Sequence, residues 1–266
     1  IRDKDQAAQL EEKSKITRGE DELDKELARM EDAVKADPNR ANLHVRHGDL
    51  LLQKKRFKSA EEAFRKAHEL EPTNTFTRAR LGEVKIQFMK EQIGALEEQV
   101  ARKPGDAALK AQIEKLRAQL EEFKVQEYRQ RVQDQPTNME VHHQLGLLLI
   151  ESGDYDGAMQ MFQKSMADPR YRMLANHMLG RCLVEKGMYD RAINIFKRAV
   201  EGTVVMNHNV KAVFYDLGGT YEKMGDYAEA ETAYGKIYDA DVGYRDVAKK
   251  MEEVYRKARE KDDDNA

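Results

Sequence analysis

The sequence predicts an all-α chain in which helical hairpins stack one after another into a superhelical solenoid. Three observations predict it. Glycines recur at a spacing of 34 residues, an alanine and a ring follow most of them at fixed distances, and glycine or proline breakers stand between the resulting helical stretches.

The anchor glycines are Gly48, Gly82, Gly146, Gly180 and Gly218, separated by 34, 64, 34 and 38 residues. Each is preceded by His47, Leu81, Leu145, Leu179 or Leu217, and followed three residues on by Leu51, Lys85, Leu149, Leu183 or Tyr221. Twelve residues beyond four of them stand Ala60, Ala158, Ala192 and Ala230, and four further on Phe64, Phe162, Phe196 and Tyr234. Aromatic residues are only 7% of the chain, so composition does not produce this register. Helices that cross closely need small residues at the contact, and a ring fills the space between neighbouring hairpins. Gly153, Gly187 and Gly225 mark the tight turn inside a hairpin, where a helix ends at positive φ. Pro38, Pro72 and Pro136 follow helix ends, because proline does not continue an α-helix.

The Leu-Gly-x-x-Leu/Tyr, Ala-x-x-x-Phe/Tyr and Gly-Asp-Tyr signals resemble the tetratricopeptide repeat (TPR) family over roughly residues 20 to 240. The resemblance implies a TPR-type α-α superhelix. The large aromatic usual three residues before the leucine is replaced by His44, Arg78, His142 and Asn176, with Phe214 conforming, and Lys55 replaces one turn glycine. The predicted organisation is N-terminal helices with a partial repeat over 1–38, a repeat over 39–74, an elongated one over 75–138, and repeats over 139–172, 173–210 and 211–242. A capping helix over 243–261 and a disordered tail over 262–266 complete it.

The 64-residue interval is longer than one period, and its breakers favour one repeat with both helices lengthened over an extra degenerate repeat. Thr75 to Arg102 contains no proline and only Gly94, Ala107 to Asp134 contains neither, and Lys103-Pro104-Gly105-Asp106 forms a turn with an N-capping aspartate. Met89, Ile93, Leu96 and Val100 face Leu109, Ile113, Leu116, Leu120 and Phe123 as a coiled-coil seam, so a helical hairpin projects from the array. Tyr128 is expected where the repeat wants its ring. The seam serves first to pack the two helices together; self-association through the 75–135 hairpin is the sharper alternative.

At the N-terminal end, Met30 takes the ring's place, Ala33 follows, and Thr17 with Glu20 forms a capping box. The first residue is Ile1 and not Met, so a leader, anchor or upstream domain is expected to be missing, and localisation is read as cytoplasmic. At the other end Val247, Met251, Val254 and Tyr255 share one face of the capping helix.

Composition narrows the function. Charged residues make up 36% of 266, against about 25% in average proteins, yet 46 Lys and Arg nearly balance 49 Asp and Glu. The net charge of -3, without a basic block, argues against a nucleic-acid partner. No apolar run approaches the roughly 20 residues that span a bilayer, so this segment is not expected to insert into a membrane. Cys182, the only cysteine, excludes an internal disulfide and reads as a packed thiol. Walker, dinucleotide, metalloprotease and nucleophile-elbow motifs are missing, and His142 and His143 diverge by about 100° on a helix. No enzyme activity, cofactor or metal is expected.

The resemblance further implies that the first helices of successive repeats line a concave face. Their inward positions carry over to His143, Leu147 and Ile150; His177, Arg181 and Val184; and Tyr215, Gly219 and Glu222. The first full repeat adds Val45, Asp49 and Leu52. This mixture suits a peptide with an apolar side chain and a carboxylate near Arg181. Relatives that grip chaperone tails use a lysine and asparagine cluster, whereas Val45, Asp49 and Arg80, then His143, Leu147 and Met178, hold those places here. The resulting expectation is an interaction scaffold or adaptor. The alternatives are a subunit of an envelope, secretion or pilus assembly system, and a peptide-sensing regulator whose output domain lies outside this chain.

Overall fold

The computed structural model describes residues 21–264. The Thr17–Glu20 capping box, the first 20 residues of the expected N-terminal helices and the last two tail residues lie outside that range. The described residues form twelve helices and no strand. These are α1 (21–36), α2 (Ala41–Gln53), α3 (Phe57–Leu70), α4 (Thr75–Arg102), α5 (Ala107–Asp134) and α6 (Met139–Glu151). There follow α7 (Tyr155–Ser165), α8 (Pro169–Glu185), α9 (Tyr189–Val200), α10 (His208–Met224), α11 (Tyr227–Ala240) and α12 (Val247–Asp264). The chain divides into two compact units, Ile1–Glu127 and Tyr128–Ala266, with the boundary within α5.

The hairpins close for the reasons the sequence carries. Asn74, Asn138, Asp154 and Asn207 stand at N-caps, and each side chain accepts a hydrogen bond from a backbone N–H in the following turn. Gly153, Gly187 and Gly225 adopt φ of 80°, 71° and 75° at the turns inside hairpins, and Lys55 is held at 55° in the corresponding place. A lysine there is strained where glycine is not. Its ammonium is tied 3.1 Å from Glu91 Oε1.

In each regular repeat the anchor glycine touches the ring of its hairpin partner. A Cβ placed on Gly146 would sit 2.7 Å from the Phe162 ring, and Phe64, Phe196 and Tyr234 press on Gly48, Gly180 and Gly218 in the same way. All four rings are fully buried. Three of the polar substitutes for the usual aromatic are buried too, and each has a bonded nitrogen: His44 Nε2 meets Pro38 O at 2.8 Å, His142 Nδ1 meets Asn138 O at 3.0 Å, and Asn176 Nδ2 donates to Arg172 O at 2.9 Å. Main-chain carbonyls thus pair the bonded nitrogens and reduce the cost of burying them, while Asn176 Oδ1 stays buried without a partner.

The elongated repeat departs from this rule. Glu127, and not Tyr128, lies against Gly82, and its carboxylate accepts from both terminal nitrogens of Arg78 at 3.2 Å. One residue turns a helix by about 100°, which brings Glu127 inward and leaves Tyr128 half-buried beneath the Arg131 guanidinium. A buried ion pair therefore replaces the ring. Further out, Ile86, Ile93, Ile113 and Leu120 form the hairpin core, flanked by Met89, Leu96, Val100, Leu116 and Phe123. Asp106 caps α5 by accepting from Ala108 N and Leu109 N at 3.0 and 3.1 Å.

Met30 is buried in the first cluster with Leu27, Leu51 and Phe64, and Ala33 packs on it. At the other end Val247 and Val254 are fully buried, but Tyr255 is 46% exposed. α12 also runs on through Asp264, past the Lys261 end expected for the cap, because no glycine or proline interrupts it.

Candidate functional site

Within the second unit, α6, α8 and α10 carry the residues picked from sequence, and the structure divides them into two groups. Arg181 and Val184 of α8 and Tyr215 and Gly219 of α10 line one cleft of about 220 Å³, together with Glu185, Phe196, Asp216, Thr220 and Lys223. His143, Leu147, Ile150, His177 and Glu222 do not line it.

The reason lies in packing. His143 is buried between the Phe162 ring at 5.4 Å and the Tyr171 ring at 5.2 Å, with Nδ1 unpartnered. Burial disfavours its imidazolium and holds its pKa below the ordinary histidine value. His177 is buried against Phe196, and its Nε2 lies 2.7 Å from Asp216 Oδ2. An ionised carboxylate only accepts, so Nε2–H is the donor. Leu147 and Ile150 are half-buried on α6. Glu222 accepts from the Tyr234 hydroxyl at 2.5 Å and from Lys250 Nζ at 3.0 Å, which consumes its charge inside the fold.

The cleft itself is polar on one wall and aromatic on the other. Arg181 is half exposed, with Nε 3.8 Å from Asp216 Oδ2. Asp216 thus joins two helices by holding His177 and facing Arg181. Tyr215 donates its hydroxyl to Asp246 Oδ1 at 2.5 Å, meets Tyr234 and Tyr244 edge-on at 5.7 and 6.3 Å, and lies under the Arg245 guanidinium at 4.7 Å. Burial and then the Asp246 carboxylate push its hydroxyl up to about 12. Its ring is fixed before any ligand arrives, so little conformational freedom is left to lose on binding.

Sequence reasoning missed Asp216, Asp246 and Lys250. Asp216 was detectable as the neighbour of Tyr215, one position beyond the place on α10 that His177 takes on α8; Asp246 and Lys250 lie in and just before α12 and needed the fold. In the first unit Asp49 is paired with Arg80, Leu52 is buried and Val45 half-buried, so these residues offer little free charge.

Cys182 is buried, and its thiol is pushed up to about 11, which keeps it protonated and unreactive at neutral pH. Among the described residues no group of three or more His, Cys, Asp or Glu could hold a metal ion, and no helix is long and apolar enough to cross a membrane.

Comparison with known proteins points to one family. Two models, each described as a tetratricopeptide repeat, match residues 171–241 and residues 41–74 with 140–167. No curated protein matches the chain. Among solved structures it is similar to YrrB, described as a TPR protein with an unusual peptide-binding site, at 17% identity and a TM-score of 0.55, covering 81% of this chain and 93% of that one. It is also similar to MamA AMB-1, at 20% identity and a TM-score of 0.51 over 79% and 96% of the two chains. Pseudomonas aeruginosa pilF aligns at 20% identity and a TM-score of 0.50 over 82% and 85%.

Proposed function

Taking as premise that the chain belongs to the tetratricopeptide repeat family, we propose that this interaction scaffold captures a partner peptide in the cleft between α8 and α10. The observation that carries the reading is the grouping of Arg181, Val184, Tyr215 and Gly219 around one opening, on the face made by the first helices. Arg181 offers a half-exposed guanidinium for a carboxylate or a main-chain carbonyl. Gly219 leaves room for a backbone to approach, and the flank of the Tyr215 ring gives apolar contact to a side chain. Asp216 faces Arg181 as an ion pair at 3.8 Å, longer than a hydrogen bond, so the guanidinium keeps N–H donors for a ligand. His177, His143 and Glu222 act from behind by holding the helices in register.

The test is affinity capture from source cells, with identification of co-eluting proteins, comparing the native chain with Arg181→Glu combined with Tyr215→Ala. The native protein should retain a partner that the double variant loses, while circular dichroism stays unchanged. Retention of the same partner at the same affinity by a folded double variant removes the proposal.

A further inference from the structure

A second opening in the second unit is not on the first-helix side. It lies between α9 and α11, has a volume of about 770 Å³ and is floored by Phe214, Leu217 and Tyr221 of α10. The cause is visible in the chain. The connection from α9 to α10 takes seven residues, Glu201–Asn207, where that from α7 to α8 takes three, Met166–Asp168. Gly202 turns it at φ 71°, Thr203 enters the cleft wall, and Val204 and Val205 stand 96% and 68% exposed beside it. The longer connection is the 38-residue interval between Gly180 and Gly218 seen in three dimensions.

The walls are charged in a particular way. Lys197 and Arg198 come from α9 and Lys236 from α11, and among the described residues none of the three has a carboxylate in ion-pair range. The Lys197 ammonium sits 5.6 Å from the Tyr221 ring centre and that of Lys236 4.8 Å from the Phe214 ring centre. These contacts hold both ammonium groups over the cleft floor, and Lys197 also meets the Tyr221 hydroxyl. Two carboxylates, Glu201 and Glu229, also line the cleft, so its cations exceed its anions by one. The volume falls within the range of ligand pockets.

We propose that this cleft is a second docking site, and that it takes an acidic, extended segment of a partner protein whose carboxylates reach Lys197, Arg198 and Lys236. Charge complementarity selects the occupant: a carboxylate entering between the two lysines meets two ammonium groups that no carboxylate engages, whereas a basic segment would meet like charge. Val204 and Val205 give an apolar side chain of that segment somewhere to rest. A chain gripped here leaves the α8–α10 cleft free, so one molecule can hold two partners at once.

The probe is a fluorescein-labelled hexapeptide, Asp-Leu-Asp-Leu-Asp-Leu, with Lys-Leu-Lys-Leu-Lys-Leu as its counterpart, followed by fluorescence anisotropy and amide chemical shifts. The acidic peptide should bind saturably, shift amides in α9, α11 and the Glu201–Asn207 connection, and weaken as salt rises. Lys197→Glu with Lys236→Glu should lower its affinity by about tenfold or more, and Lys197→Gln with Lys236→Gln by a smaller factor. The three cationic side chains are exposed, so both variants should keep the native melting curve. Equal binding of the basic peptide, shifts confined to α8 and the opposite face of α10, unchanged affinity in both folded variants, or lack of saturable binding would each overturn the proposal.

Discussion

Replacing Glu127 with alanine should destabilise the first unit by about 2–3 kcal/mol. The carboxylate occupies the place that a buried ring fills in the other repeats, lies against Gly82, and holds Arg78 through two bonds of 3.2 Å. Its side chain is 7% exposed and that of Arg78 is 23% exposed. Breaking a fully buried pair by removing one partner costs about 3–5 kcal/mol. Arg78 keeps some access to water, which lowers the figure, while the void over Gly82 adds to it. Converting both residues to methionine should cost less than either truncation alone, because no charge is then left buried. The assay is urea denaturation followed by far-UV circular dichroism for Glu127→Ala, for Glu127→Met and Arg78→Met singly, and for the methionine pair. With a denaturant slope of about 2 kcal/mol/M, Glu127→Ala moves the midpoint by about 1 M, and the cycle returns a coupling of about 1–2 kcal/mol. Strictly additive single effects, or an unmoved midpoint in Glu127→Ala, would refute the assignment of this pair as the substitute for the repeat ring.

Other outcomes follow from the same geometry. Gly146→Val drives a side chain into the Phe162 ring and should cost about 3 kcal/mol or more in a thermal melt, with a smaller loss when Phe162→Leu is combined with it. His143 is held neutral by burial, so below about pH 6.5 the unfolded chain takes up a proton that the folded chain refuses, and stability should fall as pH drops from about 7 to 5; His143→Phe should flatten that slope. The Cys182 thiol moves from 9.0 to about 11, so from pH 9 upward the unfolded chain loses a proton that the folded chain keeps. Stability should therefore decline from pH 9 to 11, less so in Cys182→Ala, and a thiol reagent at pH 7.5 should label the native protein only as fast as it opens. Deleting Gln92 to Glu121 should leave the helical array folded, since the Lys55–Glu91 contact lies below the cut; sedimentation analysis of the shortened chain would show whether any self-association disappears with the arm.

The linear sequence determined the elements and their stacking rule. A recurring glycine, 34 residues from the next in two of four intervals, with a ring sixteen positions later in four repeats, is a local statement about which helix faces are small and which are bulky, and such a repeat must bury that face on its neighbours. For the same reason the end of α4 and the start of α5 were readable from Pro104, Gly105 and Asp106. Side-chain roles were less legible, because they depend on residues far away in the chain. Periodicity placed His177 and Arg181 on α8 but was silent about Asp216, which lies 39 residues beyond His177 and draws its ring inward. Only the tertiary structure decided that Glu127 and not Tyr128 faces Gly82, because a one-residue change of register on a 28-residue helix leaves the apolar pattern nearly unaltered. Only it showed that four extra residues between two glycines open a cleft on the second-helix side. A period records how far apart the hairpins begin along the chain, and the space left between them is set by how their side chains pack.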